Sequence, residues 1–487
     1  MPDPLKILFV TSELAPLVTT GGLADVAGAL PKALHADGHD VRVVMPCYRG
    51  IPAAHRGVPK AMCIVQLGGV TAYGQLRESR VPGTEIPLYL VEHEGYFGRE
   101  APYGTGSYEY TDNPERFSFF CLAVLDALPN IGWQPDVLHA HDWHTAALPA
   151  FLKFRYRNHP AWARTRILFT IHNLAYQGRY GAQHYANTGL PSELFHMDGF
   201  EYEGDMNLMK GGIAYADRLS TVSPRYAKEI QTVDYGCGLH GLLQRRAGAL
   251  SGIINGADYS VWHPRNDKHL PAPYDVNDLA GKKRCREELL AQMQLPDTGQ
   301  PIIAMVSRLA WQKGIDLAVA ALPDLLNMGF SVIILGTGED HLERRVNELA
   351  LVFPQQLRVH IGFDVGLSHR IEAAADFFLM PSRYEPCGLS QIYSLAYGTI
   401  PMVRATGGLW DTVCGLRGDG GNLDDATGIR FVPLTPQAIG RAGRQAFELH
   451  ANPERLGQVR DNGMREDFSW KRSSGAYAEL YAETCAA

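Results

Sequence analysis

The chain is predicted to be an α/β protein made of two doubly wound, Rossmann-like units. Three observations predict this. Its 487 residues exceed what a single hydrophobic core usually holds. Near the start, a strand-like run, a Gly-rich loop, an amphipathic helix and a second strand follow one another as a βαβ unit. From Pro301 onward, near-continuous apolar runs recur between helical stretches, as parallel strands buried on both faces require.

In the first half, KILFVTS (6–12) reads as a strand, TTGG (19–22) as a loop, LADVAGALPKALHADG (23–38) as a helix and DVRVVMP (40–46) as the next strand. Leu23, Val26, Ala27, Leu30 and Leu34 share one helical face, Gly38 closes the helix, and Pro31 should bend it locally. Further strands are expected at PDVLHAH (135–141), TRILFTIH (165–172) and DRLSTVS (217–223), so the first half is doubly wound. GIINGADYSVWHPRND (252–267) has the Gly, Asn and Pro content of a linker. The second series is PIIAMVSRL, SVIILGTG, LRVHIGF, DFFLMPS and TIPMVRATGG, and DFSWKRSSGAYAELYAE (467–483) reads as an amphipathic helix. Domains are accordingly expected at 1–257 and 258–464, with a terminal helix over 465–487. An internal echo, TGGLADV (20–26) and TGGLWDTV (406–413), is what two similar halves would produce; a chain with 50 glycines can also produce it by chance.

A formal charge of -7 and the absence of any basic block argue against a nucleic-acid partner. The opening MPDPLKILFV runs straight into a strand without a basic-then-apolar leader, which disfavours secretion. No apolar stretch approaches the roughly 18 to 20 residues that cross a bilayer, so no membrane span is expected. Eight scattered cysteines without a C-x-x-C pair read as thiols in a reducing cytoplasm.

Four stretches can carry chemistry. Gly21 and Gly22 at a helix start offer free amides and the positive end of a helix dipole to an anion, or form only a tight turn. HAHDWHTA (139–146) ends a strand, where open α/β sheets bind ligands; His141 can hydrogen-bond a substrate, His139 can pack in the core, and a metal site is the sharper alternative, with Asp142 displaced by one from the usual spacing. SRLAWQKG (307–314) sets Arg308 and Lys313 after a buried-type strand, placed to clamp a diphosphate or to sit in surface ion pairs. PSRYEPCGLSQIYSLAYGTIPMV (381–403) puts Glu385 beside an apolar strand, where it is costly unless sugar hydroxyls or an internal cation pair with it. No Asp-x-Asp, no G-x-x-x-x-G-K-[ST] loop and no G-x-G-x-x-G after the first strand is present, which disfavours metal-held nucleotide-sugar, ATPase and NAD chemistry.

Taken together with TIHNLAYQG (170–178) and TGGLWDTV, these motifs resemble bacterial glycogen synthase and plant starch synthase, in the same order from about Leu5 to Tyr481. The resemblance implies a glycosyltransferase-B fold, two Rossmann-like domains facing a deep cleft that closes over the donor, with the terminal helix crossing back to the first. It implies transfer of glucose from ADP-glucose to the 4-hydroxyl at the non-reducing end of an α-1,4-glucan (glycogen, starch or maltooligosaccharide). Anomeric configuration is retained, and no metal or other cofactor is needed. Localisation is then cytoplasmic, or plastidic if a transit peptide has been removed; protein partners are not specified.

The resemblance assigns His141, Arg308, Lys313 and Glu385 to catalysis: the two cations hold the diphosphate, Glu385 binds glucose hydroxyls and His141 touches the transferred glucose. Thr19, Gly21, Gly22, Phe363, Cys387, Gly388, Leu389, Ser390 and Thr406 fall at donor positions, with Phe363 on the adenine and the Gly388–Ser390 amides on the distal phosphate. Asn173, Gln177, Asn255 and Asp142 fall at acceptor or cleft positions. Retention usually calls for a carboxylate nucleophile. No carboxylate pair is evident, so same-face attack assisted by the leaving phosphate is expected.

One departure stands out. The family's loop reads Lys-x-Gly-Gly-Leu, and here the lysine position is Thr19. A neutral hydrogen bond is about half as strong as a charge-assisted one. Three readings follow: a synthase with looser donor binding, a synthase with altered donor preference, or a weakly active glucan- or nucleotide-binding homologue. The presence of Arg308, Lys313, Glu385 and His141 favours the first.

Overall fold

A computed structural model describes residues 4–105, 108–418 and 421–486. The chain divides into two units, Met1–Gly256 with Trp470–Ala487, and Ala257–Ser469. The first crossing falls inside the expected linker. The second comes five residues later than expected, because Ala257 pairs with Ser469 in a parallel bridge and its amide donates to the Phe468 carbonyl, which keeps 465–469 with the second unit.

The first unit is built on a nine-stranded sheet. Its strands are β1 (Lys6–Val10), β2 (Asp40–Pro46), β3 (Val58–Leu67), β4 (Val70–Arg80), β5 (Pro87–Glu92), β6 (Val137–His141), β7 (Arg166–Ile171), β8 (Arg218–Thr221) and β9 (Leu250–Gly252), in the order β9-β8-β7-β6-β1-β2-β5-β4-β3. The chain moves outward from β1 through β2 to β5, then returns to β6 on the other side of β1. The topological switch point therefore lies between β1 and β6, and ligands of open α/β sheets bind outside the carboxyl ends of the strands there. The antiparallel hairpin β3–β4 and strand β5 were not legible in the sequence.

Helix α1 (Gly22–Ala36) buries Leu23, Val26, Ala27, Leu30 and Leu34, the face its spacing specifies, and runs through Pro31 without ending. Helix α2 (Asn113–Ala127) is buried on nearly every side and so carries no amphipathic signature. The C-terminal helix, Trp470–Ala486, packs on α1 and on the back of the first sheet. Its Ser474 hydroxyl donates to Asp37 at 2.6 Å, and the Tyr481 hydroxyl meets His139 Nδ1 at 2.8 Å.

The second unit has six parallel strands, β10 (Ile302–Val306), β11 (Ser331–Gly336), β12 (Leu357–Ile361), β13 (Phe377–Met380), β14 (Ile400–Arg404) and β15 (Ile429–Phe431), ordered β12-β11-β10-β13-β14-β15. This is the doubly wound order with its switch point between β10 and β13. Helices α3 (Ile315–Asn327), α4 (Ser390–Ala396) and α5 (Gly407–Thr412) follow β10, β13 and β14. The two TGGL segments are therefore not equivalent: one follows the first strand of its unit and the other the fifth, so duplication of a half does not account for the echo. Their glycines also differ in purpose. A Cβ on Gly407 or Gly408 would come within 1.9 Å of the Glu385 carbonyl oxygen or 2.0 Å of the Cys387 one, whereas one on Gly21 or Gly22 would meet nothing within 4 Å among the described residues.

Candidate active site

In the second unit, the predicted residues stand at the carboxyl ends of the parallel strands. The loop after β10 carries Arg308 and Lys313, and the loop after β13 carries Glu385. These strands flank the switch point. Lys313 Nζ lies 2.7 Å and 3.0 Å from the two Glu385 oxygens, and the Ser382 hydroxyl donates to the same carboxylate at 2.9 Å. Glu385 is buried. Its burial is therefore compensated within the protein by Lys313, and not left for sugar hydroxyls alone to satisfy. Arg308 donates to the Gln312 side-chain oxygen at 3.2 Å.

Local sequence explains the juxtaposition. Gly314 has φ 68°, and a Cβ there would sit 2.1 Å from the Pro381 carbonyl oxygen, so only glycine lets the Lys313 loop lie against the strand end before Glu385. Arg383, next to the β13 loop, grips Asp316 of α3 at 2.6 Å and 2.8 Å and stacks on Trp311, tying the two loops again. The Gly408 amide donates to the Glu385 carbonyl at 3.1 Å, which closes α5 onto the same loop.

Cys387, Gly388 and Leu389 lead into Ser390, the first residue of α4. The Gln391 side chain bridges the Cys387 and Gly388 carbonyls at 3.1 Å and 3.0 Å and so shapes that turn. Thr406 is fully buried at the start of α5. Phe363, after β12, is 90% exposed, an aromatic face that the protein leaves uncovered.

In the first unit, His141 ends β6, and His172 follows β7. His141 Nδ1 and His172 Nε2 are 3.0 Å apart, His141 is fully buried, and its Nε2 has no partner among the described residues. A buried polar atom in that condition awaits a ligand or water. Burial holds both rings neutral, lowering His172 to about 3 and His141 well below its usual value. His139 belongs to the core, between Tyr481 and Thr170. His144 packs against Tyr103 and Trp143. The histidine run thus turns to different partners, and among the described residues no cluster of three His, Cys, Asp or Glu is placed to hold a metal ion.

Asp142 has φ 56° and ψ -178°, a conformation that glycine populates and other residues rarely do. Its carboxyl accepts the His172 amide at 2.8 Å. Burial pushes Asp142 up to about 7 against that bond, with a smaller push from the charge of Glu13. The native state therefore binds a proton here that the unfolded chain gives up near pH 4, and the stability this contributes is lost as pH rises through about 7. Asn keeps the acceptor and cannot ionise. The thermal midpoint of the parent relative to Asp142→Asn is expected to fall by about 3 °C or more between pH 5 and pH 8; midpoints that stay parallel would show that Asp142 is ionised throughout.

Asn173 accepts the Ala175 amide at 3.1 Å, while Gln177 ties the Leu174 and Cys237 carbonyls to Asn207, so both shape the loop after β7. Asn255 is buried and its side-chain oxygen is unpartnered among the described residues. Thr19, Gly21 and Gly22 are exposed. The loop's amides are not all free for an anion, however. Those of Thr20 and Gly21 already donate to the carboxylate of Glu13, at 2.7 Å and 3.3 Å. Sequence reasoning passed over Glu13, His172, Ser382 and Asp25. A lone acid after an apolar strand, the signal that singled out Glu385, is also present in TSELAP (11–16). Asp25, in the first turn of α1, is exposed at the surface, and the neighbouring carboxylate of Glu13 acts to raise its carboxyl above the usual range.

Residues 6–245 match the starch synthase catalytic domain, and residues 287–459 match glycosyl transferases group 1. Glycogen synthase of Myxococcus xanthus (strain DK1622) is 45% identical, covering 99% of this chain and 100% of its own; that of Anaeromyxobacter sp. (strain Fw109-5) is 46% identical with the same coverage. The catalytic domain of starch synthase IV from Arabidopsis thaliana, solved bound to ADP and acarbose, superposes with a TM-score of 0.90 at 31% identity, over 99% of this chain and 100% of that one. Two doubly wound units together with that likeness give the chain the glycosyltransferase-B fold. With full-length relatives well above 40% identity and two family models in the expected order, the chain belongs to the glycogen synthase and starch synthase family of glycosyltransferases.

Proposed function

We propose that this chain elongates an α-1,4-glucan by moving glucose from ADP-glucose to the 4-hydroxyl at the non-reducing end, with retention and without a metal ion or cofactor. The observation that carries the reading is the pairing of Lys313, in the same loop as Arg308, with the buried Glu385 at the switch point of the second unit. Arg308 and Lys313 supply fixed positive charge where a diphosphate departs. Glu385 is an acceptor-only group for glucose hydroxyls, and as the donor arrives Lys313 is shared between it and the phosphates. His141 offers its open Nε2 to the transferred glucose. Phe363 offers an uncovered face to adenine, and the amides entering α4 meet the distal phosphate.

Same-face attack needs no carboxylate nucleophile, because the departing phosphate can take the acceptor's proton while the cations hold its charge. ADP as the leaving nucleotide is favoured by the starch synthase relative solved with it. Among the described residues no helix is long and apolar enough to cross a membrane. The reading is of a cytoplasmic enzyme acting on glycogen, starch or a maltooligosaccharide, supported by the bacterial glycogen synthase relatives.

The test is an assay in EDTA with ADP-glucose or UDP-glucose, with and without glycogen, following nucleotide diphosphate release and chain growth together. Glycogen-dependent ADP release with chain growth is expected. Thr19→Lys, which restores the missing charge, is expected to lower the donor KM by about tenfold, the equivalent of roughly 1.4 kcal/mol. Turnover with UDP-glucose alone would assign the altered donor preference. Glucan binding without turnover on either donor would overturn the synthase reading, and activity only on added zinc would overturn its metal independence.

A further inference from the structure

The Gly21–Gly22 loop has the form of an anion cradle, but it already holds an anion of the protein's own. Glu13, in the turn after β1, is 3% exposed and takes four hydrogen bonds from the described residues. One oxygen accepts the amides of Thr20 and Gly21 at 2.7 Å and 3.3 Å. The other accepts the Thr20 hydroxyl at 2.5 Å and the Tyr103 hydroxyl at 2.7 Å. Tyr103 is within 2.9 Å of the Ser12 hydroxyl, so the carboxylate is braced from both the loop and the strand end. Gly21, the residue before α1, has no side chain with which to cap the helix, and Glu13 takes the amides of Thr20 and Gly21 immediately ahead of the first helical residue.

A phosphate could claim the Thr20 and Gly21 amides only by expelling this carboxylate. That would leave a buried charge short of donors, which costs more than a neutral hydrogen bond returns. The Glu13 contacts therefore persist when a ligand arrives, and the ligand meets what Glu13 leaves exposed. Gly21 and Gly22 present open space on their outer side, next to Thr19.

We infer that Glu13 is a positioning residue for donor binding, holding residues 19–22 in the shape that presents Thr19 and Gly22 to the donor's phosphates. This rests on the reading that the loop meets the donor. It predicts coupling between Glu13 and residue 19. A lysine at position 19 can reach the phosphates only from a loop that is held in place.

The experiment measures the KM for donor, the KM for glycogen, and kcat for the parent, Glu13→Ala, Glu13→Gln, Thr19→Lys and the double variant Glu13→Ala/Thr19→Lys. Glu13→Ala is expected to raise the donor KM by about tenfold while leaving the glycogen KM within about twofold, the signature of lost donor binding. Glu13→Gln can keep its oxygen on the two amides while its NH2 donates to the two hydroxyls, and it is expected to restore most of the loss. In the Glu13→Ala background, the gain from Thr19→Lys is expected to vanish, a non-additivity that a folding defect would not produce. An undiminished Thr19→Lys gain in that background, or equal changes in both KM values, would overturn the role of Glu13 while the synthase reading stands. No turnover by the parent with either donor would overturn both.

Discussion

Replacing Lys313 by alanine is expected to lower glucan elongation by about 10²–10³-fold, the loss typical of removing one preorganised charge or donor from a developing anion. The same change is expected to destabilise the second unit. Lys313 and Glu385 form an ion pair in which the carboxylate side chain is only 7% exposed and the lysine 20%. Removing one member of such a pair leaves a buried charge uncompensated, at about 3–5 kcal/mol. The two effects have separate origins and can be separated. A double variant, Lys313→Met with Glu385→Gln, removes both charges and is expected to regain most of the lost stability, because a desolvated pair replaced by uncharged groups is often neutral. It should regain none of the turnover. The cycle of Lys313→Met, Glu385→Gln and the double variant, read by thermal melts and by initial rates, is expected to give a large coupling in stability and a small one in activity. Recovery of turnover in the double variant would show that the pair serves folding alone, and that the diphosphate is held elsewhere.

That pair also shows how far sequence reading reaches and where it stops. Glu385 and Lys313 were each legible, since an acid beside an apolar strand and a cation at a strand end are local signals. Their mutual bond was not, because they lie 72 positions apart and three strands, β11, β12 and β13, come between them. What joins them is Gly314, whose left-handed backbone and contact with Pro381 can be recognised only once β10 and β13 are known to be neighbours. The strands of the second unit were legible for the same reason that its core is uniform: parallel strands covered on both faces leave unbroken apolar runs. The hairpin β3–β4 was not. Its outer strand exposes Val58, Met62 and Ile64 to solvent, so hydrophobicity there does not report the side facing the core. Helix α2 failed in the opposite way, being apolar nearly all round. The TGGL echo misled because similar residues open α1 and α5 for different reasons, an uncovered loop in one and close backbone packing in the other.

His141→Ala is expected to lower kcat/KM by about 10²-fold, provided its open Nε2 meets the transferred glucose. The argument turns on His172. Both rings are neutral, so a single proton lies between His141 Nδ1 and His172 Nε2. If His141 donates it, its Nε2 is a bare acceptor; if His172 donates it, the Nε2 of His141 carries a hydrogen and can donate to a sugar oxygen. The tautomer of His141 is thus set by its neighbour, since the hydrogen bond at one ring nitrogen decides the state of the other. The Asp142 carboxyl, by accepting the His172 amide, holds that neighbour in place. His172→Phe keeps the ring volume and removes the partner nitrogen. It is expected to cost about tenfold in kcat/KM, less than loss of His141 itself, and to change the ring-nitrogen NMR shifts of His141 from those of one fixed tautomer to those of a mixture. Because burial keeps the pair neutral, neither variant should move the pH profile of turnover between pH 6 and pH 8. Full activity of His141→Ala would remove the histidine from the reaction and leave its unpartnered nitrogen to bound water; unchanged ring shifts in His172→Phe would show instead that the His141 tautomer is set from elsewhere.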